Sequence, residues 1–408
     1  MRTILSLTVL ALAAAAPAQA GKDKAKARID PYTKNEPEAM AKAGYVNFGP
    51  FRFGNIADKP TETTQIDQSL DYVTILWVET KHFRIGVNLP QYVIPDGEVE
   101  TKAKIRKELE ELAKVLPHVD PKTRRLDPWL RLHMTAQRCE KLYAETSQLF
   151  GVKDEDFPGD PGKVVVGNRY MGYGPYLGMK DKYLVLLFEK TAPYQAYMKT
   201  YVGRDTKNPQ RWHFKESSSI LISFPTDDDQ FPRKHDTALH CSLAFNVSQN
   251  LLDGFRYYAY DLPVWIKEGF GHWAERRIDG KWPNFDQNEG ALADMKTVDR
   301  WEPLCRNLIA ANKVTPFSEA VAWRDFGDIK FPDHVAVWSR MDWLISQGPE
   351  KFQKFLFGVK GRVDKQWLPD QSDLVGATRE ALKDAYGVSI LDFDRKWMDW
   401  VKATYPAQ

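Results

Sequence analysis

The residues best placed to do chemistry lie between His235 and Glu275. The stretch Leu262-Pro263-Val264-Trp265-Ile266-Lys267-Glu268-Gly269-Phe270-Gly271-His272-Trp273-Ala274-Glu275 carries a carboxylate and an imidazole four residues apart, Glu268 and His272. On a helix that spacing puts both on one face, where they can share a metal ion or a proton. Pro263 suits a helix start. Trp265 and Phe270 supply apolar anchors, and Gly269 and Gly271 leave room for a second helix. Upstream stand His235, His240 and Cys241. His235 and His240 are five apart, about 140° around a helix, so both face one point only if His235 precedes the helix. Cys241 with His272 would make a thiol nucleophile, but no third group orients the imidazole and no cation favours the thiolate. A buried, unreactive cysteine is the better reading.

The Pro263–Glu275 segment resembles the second-helix motif, P-x-W-x-x-E-G-x-A-x-[YW]-x-E, of gluzincin-type zinc metallopeptidases, and most of all that of secreted bacterial peptidase MA-like domains. Gly271 stands where the motif has Ala. The resemblance implies that Glu268 matches the third zinc ligand. It also implies a preceding helix with H-E-x-x-H, whose histidines bind zinc and whose Glu activates water. This chain contains no such motif. Three registers could hold a relic of it. Phe245-Asn246-Val247-Ser248-Gln249 leaves 18 residues before Glu268, the usual gluzincin spacing. His240-Cys241-Ser242-Leu243-Ala244 and Asp236-Thr237-Ala238-Leu239-His240 leave 23 and 27. The first is preferred for its spacing, and in it Cys241, one turn before Phe245, faces the same cleft. Phe245 cannot bind metal, Asn246 cannot act as a base, and Gln249 is a weak neutral ligand. The expectation is therefore no catalytic residue and no cofactor, with Phe245, Asn246 and Gln249 as relic positions and Cys241, Glu268 and His272 lining a binding cleft. The alternative is an active zinc hydrolase holding its metal on His240, Glu268 and His272.

The elements that must position these residues are legible from apolar periodicity. Strands are predicted from Tyr72, including His82–Val87, then at Tyr183–Phe188 and Ser218–Phe224, and the resemblance implies that the last is the edge strand preceding the active-site helix. Helices are predicted at Glu98–Leu116, Trp129–Phe150, Lys234–Gly254 and Val264–Ile278. Further helices at Pro303–Lys313, His334–Gln347, Glu350–Val359, Leu374–Tyr386 and Leu391–Thr404 complete the chain. The class is α+β, and the resemblance implies a thermolysin/aminopeptidase-like fold. It divides into a sheet-rich part (66–225), the relic helices (226–280) and a helical part (281–408) of one domain.

Composition narrows the function. The 408 residues carry 57 Lys+Arg against 55 Asp+Glu, which argues against a nucleic-acid partner, and 43% hydrophobic residues, which argues for a large core. Residues 1–20 read as a cleaved signal: Arg2, an apolar run from Ile4 to Ala16, then Ala18-Gln19-Ala20. The mature product is expected in the periplasm or outside the cell, without a membrane span. Residues 21–65 read as a flexible N-terminal arm, irregularly packed from Gly44. Cys139, Cys241 and Cys305 are read as buried thiols, and the C-terminal tryptophans as core. The expected ligand is a peptide or extended polymer added along the Ser218–Phe224 edge.

Overall fold

A computed structural model describes residues 27–57, 59, 61–160, 165–166, 169–227, 233–285 and 300–407. The expected signal lies outside these residues. The chain is α+β, built on a six-stranded mixed sheet. Its strands are β1 (Tyr45–Asn47), β2 (Leu76–Thr80), β3 (Phe83–Asn88), β4 (Tyr183–Phe188), β5 (Gln210–Phe214) and β6 (Ser219–Pro225). They lie in the order β1-β2-β3-β4-β6-β5. β3, β4 and β6 run parallel, while β2 and β5 pair antiparallel with β3 and β6.

β4 reads Tyr-Leu-Val-Leu-Leu-Phe with every residue buried, the unbroken apolar run of a strand covered on both faces. Helix α1 (Val99–Ala113) packs on α2 (Pro128–Phe150), and one face of β4, with Tyr183, Val185 and Leu187, packs on α2 and α3 (Asp236–Gly254). The other, with Leu184, Leu186 and Phe188, packs on Tyr194, Tyr197 and Met198 of a helical turn between β4 and β5. α2 ends at Gly151, which takes the left-handed conformation that glycine adopts without strain. α3 is buried on nearly every side, because α2 and the sheet cover one flank and α4 (Val264–Arg276) the other. Gly269 of α4 lies against α6 (Phe331–Ser346): a Cβ there would stand 2.6 Å from the Val337 carbonyl oxygen. Helices α5 (Trp301–Ala310), α7 (Pro349–Val359), α8 (Leu374–Tyr386) and α9 (Ile390–Thr404) complete a helical half, with α5 and α7 packed directly on α6. One cluster of buried apolar side chains runs from Met40 to Tyr405, so the sheet and the C-terminal helices share a core.

Two expectations are corrected. The edge of the sheet is β5, not Ser218–Phe224. All seven residues of β6 are buried, as suits an interior strand, whereas Gln210–His213 of β5 are half-exposed. The expected flexible arm is, in its described part, packed structure. Asp30 is fully buried, its Oδ1 lying 3.1 Å from His133 Nε2 on α2; beyond Gly44, where packing was expected, β1 extends the main sheet. A buried carboxylate needs such a partner, and it ties the segment down. Among the described residues no helix is long and apolar enough to cross a membrane. All three cysteines are buried free thiols.

Candidate functional site

α3 and α4 bring four of the predicted residues, Phe245, Asn246, Gln249 and Glu268, to a cavity of about 210 Å³, while His272 lies buried behind it and does not line it. Its walls include Phe245, Asn246 and Gln249 from α3, Glu268 from α4, and Pro209, Gln210 and Arg211 at the start of β5. Gln249 Nε2 donates to Glu268 Oε1 at 3.3 Å. The Phe245 ring lies 5.1 Å from that of His272. Phe245 and Gln249 are one helical turn apart and both face α4, the arrangement the 18-residue register requires. Asn246 turns its amide back to the Ser242 carbonyl at 2.9 Å.

The same packing accounts for Gly271, the departure from the motif. A Cβ at 271 would meet Gln249 Nε2 at 2.6 Å and the Phe245 ring at 2.9 Å. Phe245 and Gln249 thus occupy the space that an Ala methyl would need.

Glu268 and His272 share one face of α4, as their spacing predicts, and a third residue joins them. His334, near the start of α6, places Nδ1 at 2.9 Å from His272 Nε2 and 3.5 Å from Glu268 Oε2. His272 Nε2 is 3.7 Å from Glu268 Oε2. On its other side, His272 Nδ1 meets Glu275 Oε1 at 2.7 Å, and Glu275 Oε2 accepts from the Asn284 backbone at 3.0 Å and its amide at 2.7 Å. Burial sets the charges here. It pushes His272 well below the usual imidazole range, and the neighbouring His334 and Arg276 add to the effect. Burial takes His334 down to about 4 against the opposing charges of Glu268 and Asp333. Burial also pushes the Glu275 carboxyl well above its usual range despite the hydrogen bonds from Asn284. His334 carried one signal in the sequence, an ionisable residue heading the apolar run Val335-Ala336-Val337-Trp338. Nothing in its position pointed to α4.

Three of the residues the sequence offered stand elsewhere. His240 projects to a separate pocket with Arg138 and Lys141, its Nδ1 3.3 Å from Glu108 Oε1. The alternative metal set of His240, Glu268 and His272 is therefore not assembled, because nine residues along α3 carry His240 away from the Gln249 face. Cys241 does not line the cavity. Its Sγ points to the backbone carbonyls of Glu275 and Asp279 at 3.8 and 3.6 Å. Burial raises its thiol well above the usual range, with Glu275 adding to the shift, which makes it a poor nucleophile. His235 precedes α3 and contacts Glu98 at 2.5 Å.

The zinc set implied by the motif does not fit these side chains. Phe245 has no donor atom, and Gln249 offers a neutral amide already turned to Glu268. Compared with family models, with curated proteins and with solved structures, the chain matches none.

Proposed function

We propose that this chain is an exported, non-catalytic relative of the gluzincin peptidases that uses the cleft between α3 and α4 to hold an extended peptide or other polymer. The observation that carries the reading is the placement of Phe245 and Gln249. They face Glu268 from the two positions where the resembled motif has its histidines, with Asn246 in place of the base. The cleft remains while the means of activating water is gone. β5 offers the docking edge, since among the described residues its outer side has no strand neighbour and its first residues line the cavity. An extended ligand would add a strand there, held by main-chain hydrogen bonds. The fold and export parts of the proposal rest on the motif and on the N-terminal segment respectively.

Hydrogen exchange of the purified chain against peptide and glycan libraries tests it. The expected result is slowed exchange of the Gln210–Phe214 amides by at least one ligand class. A library-wide absence of protection at β5, or protection confined to a distant surface, overturns it.

A further inference from the structure

Beside the cavity, the structure gathers a donor set that the sequence does not announce. We propose that Glu268, His272 and His334 bind one divalent cation of the zinc type in a closed, structural site. It is distinct from the site the peptidase motif implies, since only Glu268 is common to both.

The donors are Glu268 Oε2, His272 Nε2 and His334 Nδ1, separated by 2.9, 3.5 and 3.7 Å. A tetrahedral ion with bonds of about 2.0–2.1 Å holds its ligands roughly 3.3–3.4 Å apart. The observed triangle brackets that edge, so an ion is accommodated by side-chain shifts of about half an ångström. It would replace the proton that the two imidazoles share. Two nitrogens and one carboxylate oxygen suit zinc, and they are too few oxygens for calcium or magnesium.

The surroundings agree with such a site. His272 Nδ1 is held by Glu275, and that carboxylate by Asn284, which fixes the ring so that Nε2 points at the other donors. Phe245, Phe285 and Trp301 stand 5.1, 5.3 and 5.0 Å from the His272 ring and form an apolar shell. The donor side chains are at most 2% exposed, which shields an ion held there from bulk water and favours a structural role.

This inference does not rest on the proposed function. Metal binding without hydrolysis sustains both, absence of metal removes only this inference, and metal-dependent peptide hydrolysis removes the proposed function together with the structural role of the ion. Cobalt(II) titration of the full, chelator-treated chain is the test. One equivalent should bind with the strong visible absorption of a four-coordinate site. His334→Ala and His272→Ala should each weaken binding at least ~100-fold, Glu275→Gln by about 10–100-fold, and His240→Ala not at all. Absence of stoichiometric uptake by the wild-type chain, or uptake undiminished in His334→Ala, overturns the proposal. If the alanine variants do not fold, zinc-edge X-ray absorption of the wild-type chain decides. Two imidazoles and a carboxylate oxygen are expected, and a thiolate or all-oxygen shell overturns it.

Discussion

Single side chains on α3 explain departures on α4. Phe245 and Gln249 fill the space above position 271, so Gly271→Ala should be tolerated poorly beside Phe245 and better beside a smaller residue. In a double-mutant cycle with Phe245→Ala, denaturant unfolding should return a coupling of about 1 kcal/mol or more, and strict additivity would contradict the packing. A second residue-scale prediction concerns Asp236, at the start of α3. It is paired with Arg138 Nη2 at 2.5 Å, and Arg138 also reaches Glu108 at 2.6 Å. Burial opposes ionisation of Asp236, but the Arg138 guanidinium outweighs it and holds the carboxyl below its usual range. A depressed native value means that the stabilisation is complete above the unfolded value, about 3.9, and is lost as pH falls through the lower native one. Stability should therefore drop below about pH 4, and Asp236→Asn should flatten that decline. At pH 7 the same variant should cost about 3 kcal/mol, because it leaves Arg138 buried with one partner fewer. Glu268 and His272 were legible as a pair because four residues make one helical turn. His334 was not, because its neighbours in space come from α4, 62 residues earlier in the chain.

Elements were legible where apolar spacing is strong. α8 runs Leu374–Tyr386 and β4 runs Tyr183–Phe188, as the sequence predicts, since burial on one stripe or on both faces leaves a regular pattern. β5 left no such pattern: Gln210-Arg211-Trp212-His213 alternates weakly because an edge strand is half-exposed. The arm misled for a related reason. Its lysine-rich composition hides a few anchoring contacts, chiefly Asp30 with His133 and Tyr45 Oη with His133 Nδ1 at 2.8 Å. Asp30→Ala should destabilise the chain by about 3 kcal/mol in calorimetry, since it leaves His133 buried without its carboxylate. An unchanged Tm would show that the arm contributes nothing to the fold.

At the scale of the molecule, one shared core holds the sheet, the two central helices and the C-terminal helices together. Burial raises all three thiols, Cys305 to about 12, with desolvation as the main cause in each. A thiol reagent should therefore find no reactive cysteine in the native chain and three after denaturation. Rapid native labelling would contradict the burial. The central claim is that the cleft binds and does not hydrolyse. Its most direct test is incubation of the zinc-saturated chain with a complex peptide library, read by mass spectrometry beside the Glu268→Ala variant. The account predicts identical, uncleaved libraries for both. New termini that appear with the wild-type chain and vanish with chelator or with Glu268→Ala would contradict it.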